Sequence, residues 1–179
     1  AVLEKLIERD EEIVGVYVAP DKGKPDPLKV AAEQAGLPVF QPTGYKDPEV
    51  WDQMKSLSPD LCVMAFVTLF VPEEALYLPT HDTIQYHPSL LPLHRGPSAI
   101  NWPIIMGRQE TGLSIFWPDN GLDEGPILLQ KTCAIGENDT LGTIYFDKLF
   151  PMGVEAMMES VDLVKQDNAP RIEQDHSQK

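Results

Sequence analysis

The apolar residues of this chain fall into short runs that are separated by amphipathic stretches. The runs IVGVYVA (Ile13 to Ala19) and LCVMAFVTLFV (Leu61 to Val71) contain almost no polar residue, which is typical of strands buried on both faces. Shorter runs of the same kind predict further strands at PVF, TIQYH, GLSIFWP and PILLQKTCAI. The turn-rich loop DNGLDEG separates the last two of these strands.

The amphipathic segments between the runs predict helices. Asp26-Pro27 and Asp47-Pro48 each place an acidic N-cap before a proline, which favours the first turn of a helix. Other helices are predicted at the first residues of the chain, after Pro72, at AINWPIIMG, and from Thr140 to about Gln166 with a break at Pro151. This alternation predicts an α/β protein with a mainly parallel twisted sheet and helices on both faces.

The length and the apolar pattern predict one domain over residues 1–167, followed by a loose polar tail over residues 168–179. No internal repeat or interdomain linker is visible in the sequence. In α/β sheets, ligands bind beyond the carboxyl ends of the strands. The loops that follow the predicted strands are therefore the place to look for functional side chains.

The charge balance restricts the partners. The chain has 179 residues, with 14 Lys and Arg against 28 Asp and Glu and a net charge of −14. The electric field of such a charge repels the phosphates of nucleic acid and so disfavours binding to it. No apolar run approaches the ~20 residues of a membrane span, and the charged opening AVLEKLIERDEE is unlike a secretory signal. We therefore expect a cytoplasmic protein that binds neither nucleic acid nor membrane.

Two titratable residues are candidates for catalysis. His87 ends the predicted strand TIQYH, and Asp123 lies in the glycine-flanked loop after GLSIFWP, so both are expected at one edge of the sheet. A histidine beside a carboxylate is sufficient for general acid–base chemistry. From these residues alone a structural histidine and an aspartate in an Asx-turn remain open as alternatives. The spacing of His81, His87 and His94 matches no usual zinc pattern, so no metal is predicted.

Longer motifs carry a resemblance to a known family. The stretch HPSLLPLHRGPSAINW, followed by DNGLDEGPILLQ, closely resembles the 10-formyltetrahydrofolate-dependent formyltransferase family. Within that family it is most similar to the branch formed by the N-terminal hydrolase domain of 10-formyltetrahydrofolate dehydrogenase. The resemblance implies a Rossmann-type formyltransferase fold. Family members begin with a strand and a glycine-containing turn, whereas this chain begins inside the following helix, so the first strand is expected to be missing.

The resemblance also implies an activity. The formyl donor would be 10-formyltetrahydrofolate, without a metal, and hydrolysis would yield formate and tetrahydrofolate. Two alternatives remain open: an N-formyltransferase that acts on a sugar-nucleotide amine, and a catalytically inactive folate-binding fragment. Further domains of a longer parent chain are expected partners, in addition to the folate.

Site residues follow from the same resemblance, position by position. His87 and Asp123 match the catalytic histidine and aspartate, and Gln85 occupies the position of the family's asparagine. The folate is expected to bind along the segments Val63–Pro72 and Trp117–Asp123, at Met64, Phe66, Thr68, Leu69, Phe70, Trp117, Asp119, Gly121 and Leu122. Arg95 is expected either to bind an anion or to brace the loop.

Overall fold

The computed structural model describes residues 1–178, and these form two compact units. The first unit comprises Ala1–Cys62 and Phe66–Asp82. The second comprises Val63–Ala65 and the chain from Thr83 onward. The candidate catalytic residues His87, Gln85 and Asp123 all belong to the second unit.

The first unit is built from short elements around a small apolar core. Strands β1 and β2 form a parallel pair, in which Val16 is opposite Val39. Leu3, Val16, Val18 and Ala32 are buried together at its centre. Its elements are α1 (Val2–Glu8), β1 (Val16–Tyr17), α2 (Pro27–Gln34), β2 (Val39–Phe40), α3 (Pro48–Ser56) and α4 (Glu73–Leu76).

Two helices of this unit begin where the sequence predicts. The carboxylate of Asp26 accepts a hydrogen bond of 2.8 Å from the backbone N–H of Leu28, and Asp47 accepts one of 2.9 Å from Glu49. A proline follows each aspartate in the first turn. The N-cap and the proline thus act together to start each helix.

Both long apolar runs form shorter strands than the sequence predicts. The run from Ile13 to Ala19 contributes only Val16–Tyr17, and the run from Leu61 to Val71 contributes only β3 (Cys62–Met64). Phe66 adopts a left-handed backbone with φ of 58°, which a continuous strand does not permit. The second run is therefore a short strand followed by a loop.

The second unit contains a sheet in the order β3-β4-β5-β6. The pairings β4–β5 and β5–β6 are antiparallel. A short loop rather than a helical crossover joins β5 to β6, so an antiparallel hairpin results. The α/β class is confirmed, but the parallel arrangement does not extend to β5 and β6. The added strands are β4 (Thr83–His87), β5 (Glu110–Phe116) and β6 (Ile127–Ala134).

The helical segment at the end of the chain runs without interruption from Leu141 to Lys165, so the break predicted at Pro151 is wrong. Its last part, α7 (Phe150–Lys165), carries Pro151 in the first turn, where proline is well tolerated. The preceding elements are α6 (Leu141–Thr143) and a π-helical turn (Ile144–Leu149), and α5 (Asn101–Ile105) and a 3₁₀ turn (His176–Gln178) complete the unit. Among residues 1–178, no helix has the length and apolarity needed to cross a membrane.

The two faces of the β4–β5 pair are covered differently. On one face α7 approaches closely at Gly153, where a Cβ atom would lie 2.8 Å from the ring of Tyr86 and 3.6 Å from Leu113. On the other face Gly112 lies against Leu90, and the ring of His87 meets Phe116 edge-on at 6.5 Å. The loop after β4 therefore packs over the face that carries the histidine.

Candidate active site

His87 is held inside the second unit at the end of β4. The residue is 6% exposed, and its Nε2 lies 2.9 Å from the backbone carbonyl oxygen of His94. Because a carbonyl oxygen only accepts, Nε2 carries the proton of this hydrogen bond. Burial, reinforced by the charge of Arg108, lowers the pKa of His94, so this second imidazole is neutral near pH 7.

Asp123 approaches the other side of the same imidazole. Its Oδ2 lies 3.5 Å from Nδ1 of His87 and accepts a 2.8 Å hydrogen bond from the backbone N–H of Gly96. Oδ1 has no hydrogen-bond donor within residues 1–178. Since Nε2 is engaged by a carbonyl, Nδ1 is the ring nitrogen that faces the carboxylate of Asp123. The structure thus brings together the histidine and the aspartate that the sequence identifies.

Four hydrogen bonds hold the loop after His87 against β5 and β6, and the two that Ser114 forms with backbone groups are buried. The hydroxyl of Ser114 donates to the carbonyl of Ser89 at 2.8 Å and accepts from the N–H of Leu91 at 3.1 Å. The amide of Gln130 donates to the Leu91 carbonyl and to the same hydroxyl, both at 2.9 Å. The Leu91–Pro92 peptide bond in this loop is cis. The four hydrogen bonds position the loop against the hairpin.

Gln85 lies two residues before His87 on β4, so its side chain is on the same face of the sheet. Its partner in the register is Phe116. Within the described part of the chain the Gln85 amide forms no hydrogen bond. Its donors are therefore available to a ligand on the histidine face.

The loop between β5 and β6 contains the other predicted contacts of the second unit. Asp119 accepts a 2.8 Å hydrogen bond from the N–H of Gly121, forming an Asx-turn. Leu122 is 64% exposed. Trp117 is buried, its indole N–H donates to the Pro170 carbonyl at 3.0 Å, and Arg171 stacks over its ring at 3.9 Å. The side chain of Trp117 is thus part of the interior and not an exposed wall for a ligand.

The remaining predicted folate residues lie at the end of β3 and in the loop that follows it. Met64 is buried, whereas Phe66 is 86% exposed and Phe70 is exposed as well. Thr68 and Leu69 lie in the same loop, in the first unit. Lys46 of that unit lies 5.2 Å from the ring centre of Phe70. Large exposed aromatic side chains on a loop suit contact with a planar apolar ligand.

Arg95 braces the loop, which is one of the two roles that the sequence left open. Its guanidinium donates to Glu124 at 3.2 Å and to the side-chain oxygen of Gln174 at 3.2 and 2.7 Å. A further contact of 3.1 Å joins it to Nδ1 of His176. Sequence reasoning missed Gln174 altogether, because a lone buried glutamine in a polar stretch leaves no periodic signal.

The sequence profile of the formyl transferase family matches residues 1–161. The chain belongs to this family. It is 46% identical over 179 residues to mitochondrial 10-formyltetrahydrofolate dehydrogenase of Mus musculus, covering 97% of this chain and 19% of the relative. The cytosolic 10-formyltetrahydrofolate dehydrogenase of Xenopus tropicalis is also 46% identical over 179 residues, covering 97% of this chain and 20% of the relative.

Solved structures support the fold of this formyl transferase family member. Glycinamide ribonucleotide transformylase 1 from Symbiobacterium toebii superposes with a TM-score of 0.83 at 20% identity, covering 97% of this chain and 85% of that one. The formyltransferase fold inferred from the motifs is thus confirmed. The chain spans about a fifth of the length of the curated dehydrogenases that it matches.

Proposed function

We propose that this chain removes the formyl group from 10-formyltetrahydrofolate and transfers it to water, giving formate and tetrahydrofolate. Membership of the formyl transferase family and 46% identity to part of a 10-formyltetrahydrofolate dehydrogenase support this substrate. The observation that carries the proposal is the 3.5 Å approach of Asp123 Oδ2 to Nδ1 of His87. This arrangement supplies a proton acceptor and a proton donor side by side.

The chemistry begins when a water molecule attacks the formyl carbon on N10. The new C–O bond moves an electron pair onto the carbonyl oxygen, and one proton passes from the water to the carboxylate of Asp123. The resulting oxyanion needs positioned donors, which the Gln85 amide and the imidazolium form of His87, with a proton on Nδ1 as well as on Nε2, provide. Collapse breaks the C–N10 bond, N10 takes a proton through His87, and the second water proton leaves as formic acid ionises.

The identity of residue 85 supports water as the acceptor. The family that the chain resembles carries asparagine at this position, and the resemblance implies that the dehydrogenase-type hydrolase domains depart from asparagine as well. Gln85 keeps the amide donor but places it one methylene further from the backbone. This difference sets the chain apart from the purine and tRNA enzymes of the family.

Folate contacts in the second unit are proposed at Asp119, Gly121 and Leu122. The turn at Asp119 and Gly121 presents backbone groups, and the exposed side chain of Leu122 offers an apolar surface beside Gly96. Pterin rings suit sites that combine apolar contacts with a few placed polar groups. The assignments of Met64, Phe66, Thr68, Leu69 and Phe70 stay predictions.

The decisive experiment measures formate released from 10-formyltetrahydrofolate by the purified protein, with a double variant His87→Asn/Asp123→Asn as the matched control. We expect formate and tetrahydrofolate in equal amounts from the unaltered protein and none above background from the control. Formate-free transfer to an added sugar-nucleotide amine would contradict hydrolysis in favour of the transferase. Tetrahydrofolate binding by calorimetry without turnover would reduce the chain to a binding module.

A further inference from the structure

Gln174 lies in the segment that follows α7, and it is 4% exposed. Its Nε2 donates one hydrogen bond to the backbone carbonyl of Asp123 and another to that of Gly125, each of 2.8 Å. Both carbonyls belong to the loop between β5 and β6. One side-chain amide thus ties two points of the loop that presents the candidate catalytic carboxylate.

The orientation of this amide is fixed by Arg95. The side-chain oxygen Oε1 accepts from Nε of Arg95 at 3.2 Å and from Nη2 at 2.7 Å. An amide has two N–H donors and an oxygen with two lone pairs, so every position of Gln174 is used. A flipped amide would direct its N–H groups at the guanidinium and its oxygen at two carbonyls. The arrangement therefore permits one orientation.

The loop needs such an external support because its backbone is unfavourable at Asp123. This residue has φ of 52°, in the left-handed region that residues other than glycine rarely adopt. Backbone conformations of this kind persist when the surrounding structure holds them in place. The hydrogen bond from the Gln174 amide to the carbonyl of Asp123 holds Asp123 in this left-handed conformation.

Other contacts hold the segment that supplies Gln174. Ile172 and Ile127 exchange two backbone hydrogen bonds, of 2.7 and 2.9 Å. The carbonyl of Pro170 accepts from the indole N–H of Trp117. The segment expected to be a loose polar tail is therefore hydrogen-bonded to Trp117 and Ile127 through Pro170 and Ile172.

We propose that Gln174 is a positioning residue, which holds the Asp123 carboxylate against the Gly96 N–H and beside His87. It acts through the backbone of the loop and does not touch the reacting atoms. Its effect on turnover rests on the proposed function, whereas its effect on the position of Asp123 does not. Steady-state kinetics measures the effect on turnover, and hydrogen exchange measures the effect on the position of Asp123.

The first readout is steady-state kinetics of Gln174→Glu and Gln174→Ala. The glutamate variant keeps an oxygen for Arg95 and so preserves that contact, but it loses both donors to the loop. A misplaced catalytic group costs on the order of 10- to 100-fold in rate. We expect kcat to fall by ~10-fold or more in both variants while KM changes by less than about 3-fold. The control is Gln178→Ala, an exposed glutamine that bonds Asp175 and not this loop.

The second readout is hydrogen exchange of the Gly96 amide, measured by NMR without substrate. This N–H donates to Asp123 Oδ2 at 2.8 Å, so its protection reports where the carboxylate is. We expect ~10-fold faster exchange in both Gln174 variants and unchanged exchange in Gln178→Ala.

The outcomes are distinguishable. If the unaltered protein turns over and both Gln174 variants keep the kcat and Gly96 exchange of the control, the inference is overturned. If the unaltered protein releases no formate, the proposed function fails, and the Gly96 exchange rate alone decides whether Gln174 positions the carboxylate. A fall in kcat with unchanged Gly96 exchange also overturns the inference, because Asp123 would not have moved.

Discussion

Oδ2 of Asp123 lies 3.5 Å from Nδ1 of His87, although the two residues reach this point from different strands. His87 is the last residue of β4, and Asp123 lies in the turn of the β5–β6 hairpin. Because β4 and β5 run antiparallel with Gln85 opposite Phe116, β5 ends beside the first half of β4, and the loop after β5 folds back to bring Asp123 to His87 and Gly96. The site is thus produced by a hairpin, not by the ends of neighbouring parallel strands.

Replacing the paired residues should abolish most of the activity. We expect His87→Ala and Asp123→Ala each to lower kcat by ~100-fold or more, the scale of a positioned acid–base group. The double variant should lose little more than either single variant, because both residues serve one proton path. Formate release measures the effect. A double variant as active as the unaltered protein would remove His87 and Asp123 from the mechanism.

Gln85 offers a sharper comparison of side chains. If its amide stabilises the oxyanion, Gln85→Leu should lower kcat by ~100-fold, as loss of a single oxyanion donor does. Gln85→Asn, which restores the residue typical of the family, should preserve or raise kcat. Equal activity of the leucine variant and the unaltered protein would show that the Gln85 amide takes no part in catalysis.

Removing the hydroxyl of Ser114 should lower the stability of the fold. It is fully buried and bonds the Ser89 carbonyl, the Leu91 N–H and the Gln130 amide. Removing it leaves buried groups unpaired, so Ser114→Ala should lower the free energy of unfolding by ~1–3 kcal/mol. Urea denaturation measures this, with the exposed Ser56→Ala as the control, expected within ~0.5 kcal/mol of the unaltered protein. Equal midpoints for both variants would contradict the tethering of the histidine loop.

Gly125 should not tolerate a side chain. A Cβ atom there would overlap the backbone carbonyl of Trp117, whereas a Cβ at Gly44 meets no atom within 4 Å. We expect Gly125→Ala to lower the free energy of unfolding by ~1–3 kcal/mol, the usual cost of overpacking. Gly44→Ala is the matched control and should be close to neutral. Thermal unfolding that is the same for both would show that the loop relaxes freely.

Asp139 should make stability depend on pH in the acid range. A hydrogen bond from Lys148, with others from Gly136 and Thr143, lowers the pKa of Asp139 from 3.8 to about 2. Since the folded pKa lies below the unfolded one, the contribution to stability is complete above pH 4 and disappears as the pH falls toward 2. The melting temperatures of the unaltered protein and Asp139→Asn should therefore differ at pH 6 and converge near pH 2. A difference in melting temperature that stays the same from pH 6 to pH 2 would contradict the lowered pKa of Asp139.

Much of the fold was predictable because local signals are strong. The N-caps at Asp26 and Asp47 depend on a few neighbouring residues, and the structure confirms them. The lengths of β1 and β3 were not predictable, because apolar composition does not show where pairing stops. The left-handed backbone at Phe66 ends the second run, and phenylalanine gives no warning of that conformation.

The candidate site, like the fold, was predictable only in part. The strand end, the glycine-flanked loop and the family resemblance pointed to His87 and Asp123, and the structure brings these two residues together. The sequence did not reveal that Nε2 of His87 is engaged by the His94 carbonyl, because backbone partners leave no trace in side-chain patterns. Nor did it reveal Gln174, whose importance comes from burial and from two carbonyls far away in the sequence.

The bridge between Ile127 and Ile172 also bears on solubility. β6 is the last strand of its sheet, and an unpaired edge of this kind invites pairing with another molecule. Ile172 occupies the first hydrogen-bonding position of that edge, and the charged side chain of Lys131 follows further along the strand. Deleting residues 168–178 would therefore expose an apolar edge, and the shortened protein should self-associate at concentrations where the longer chain stays dispersed.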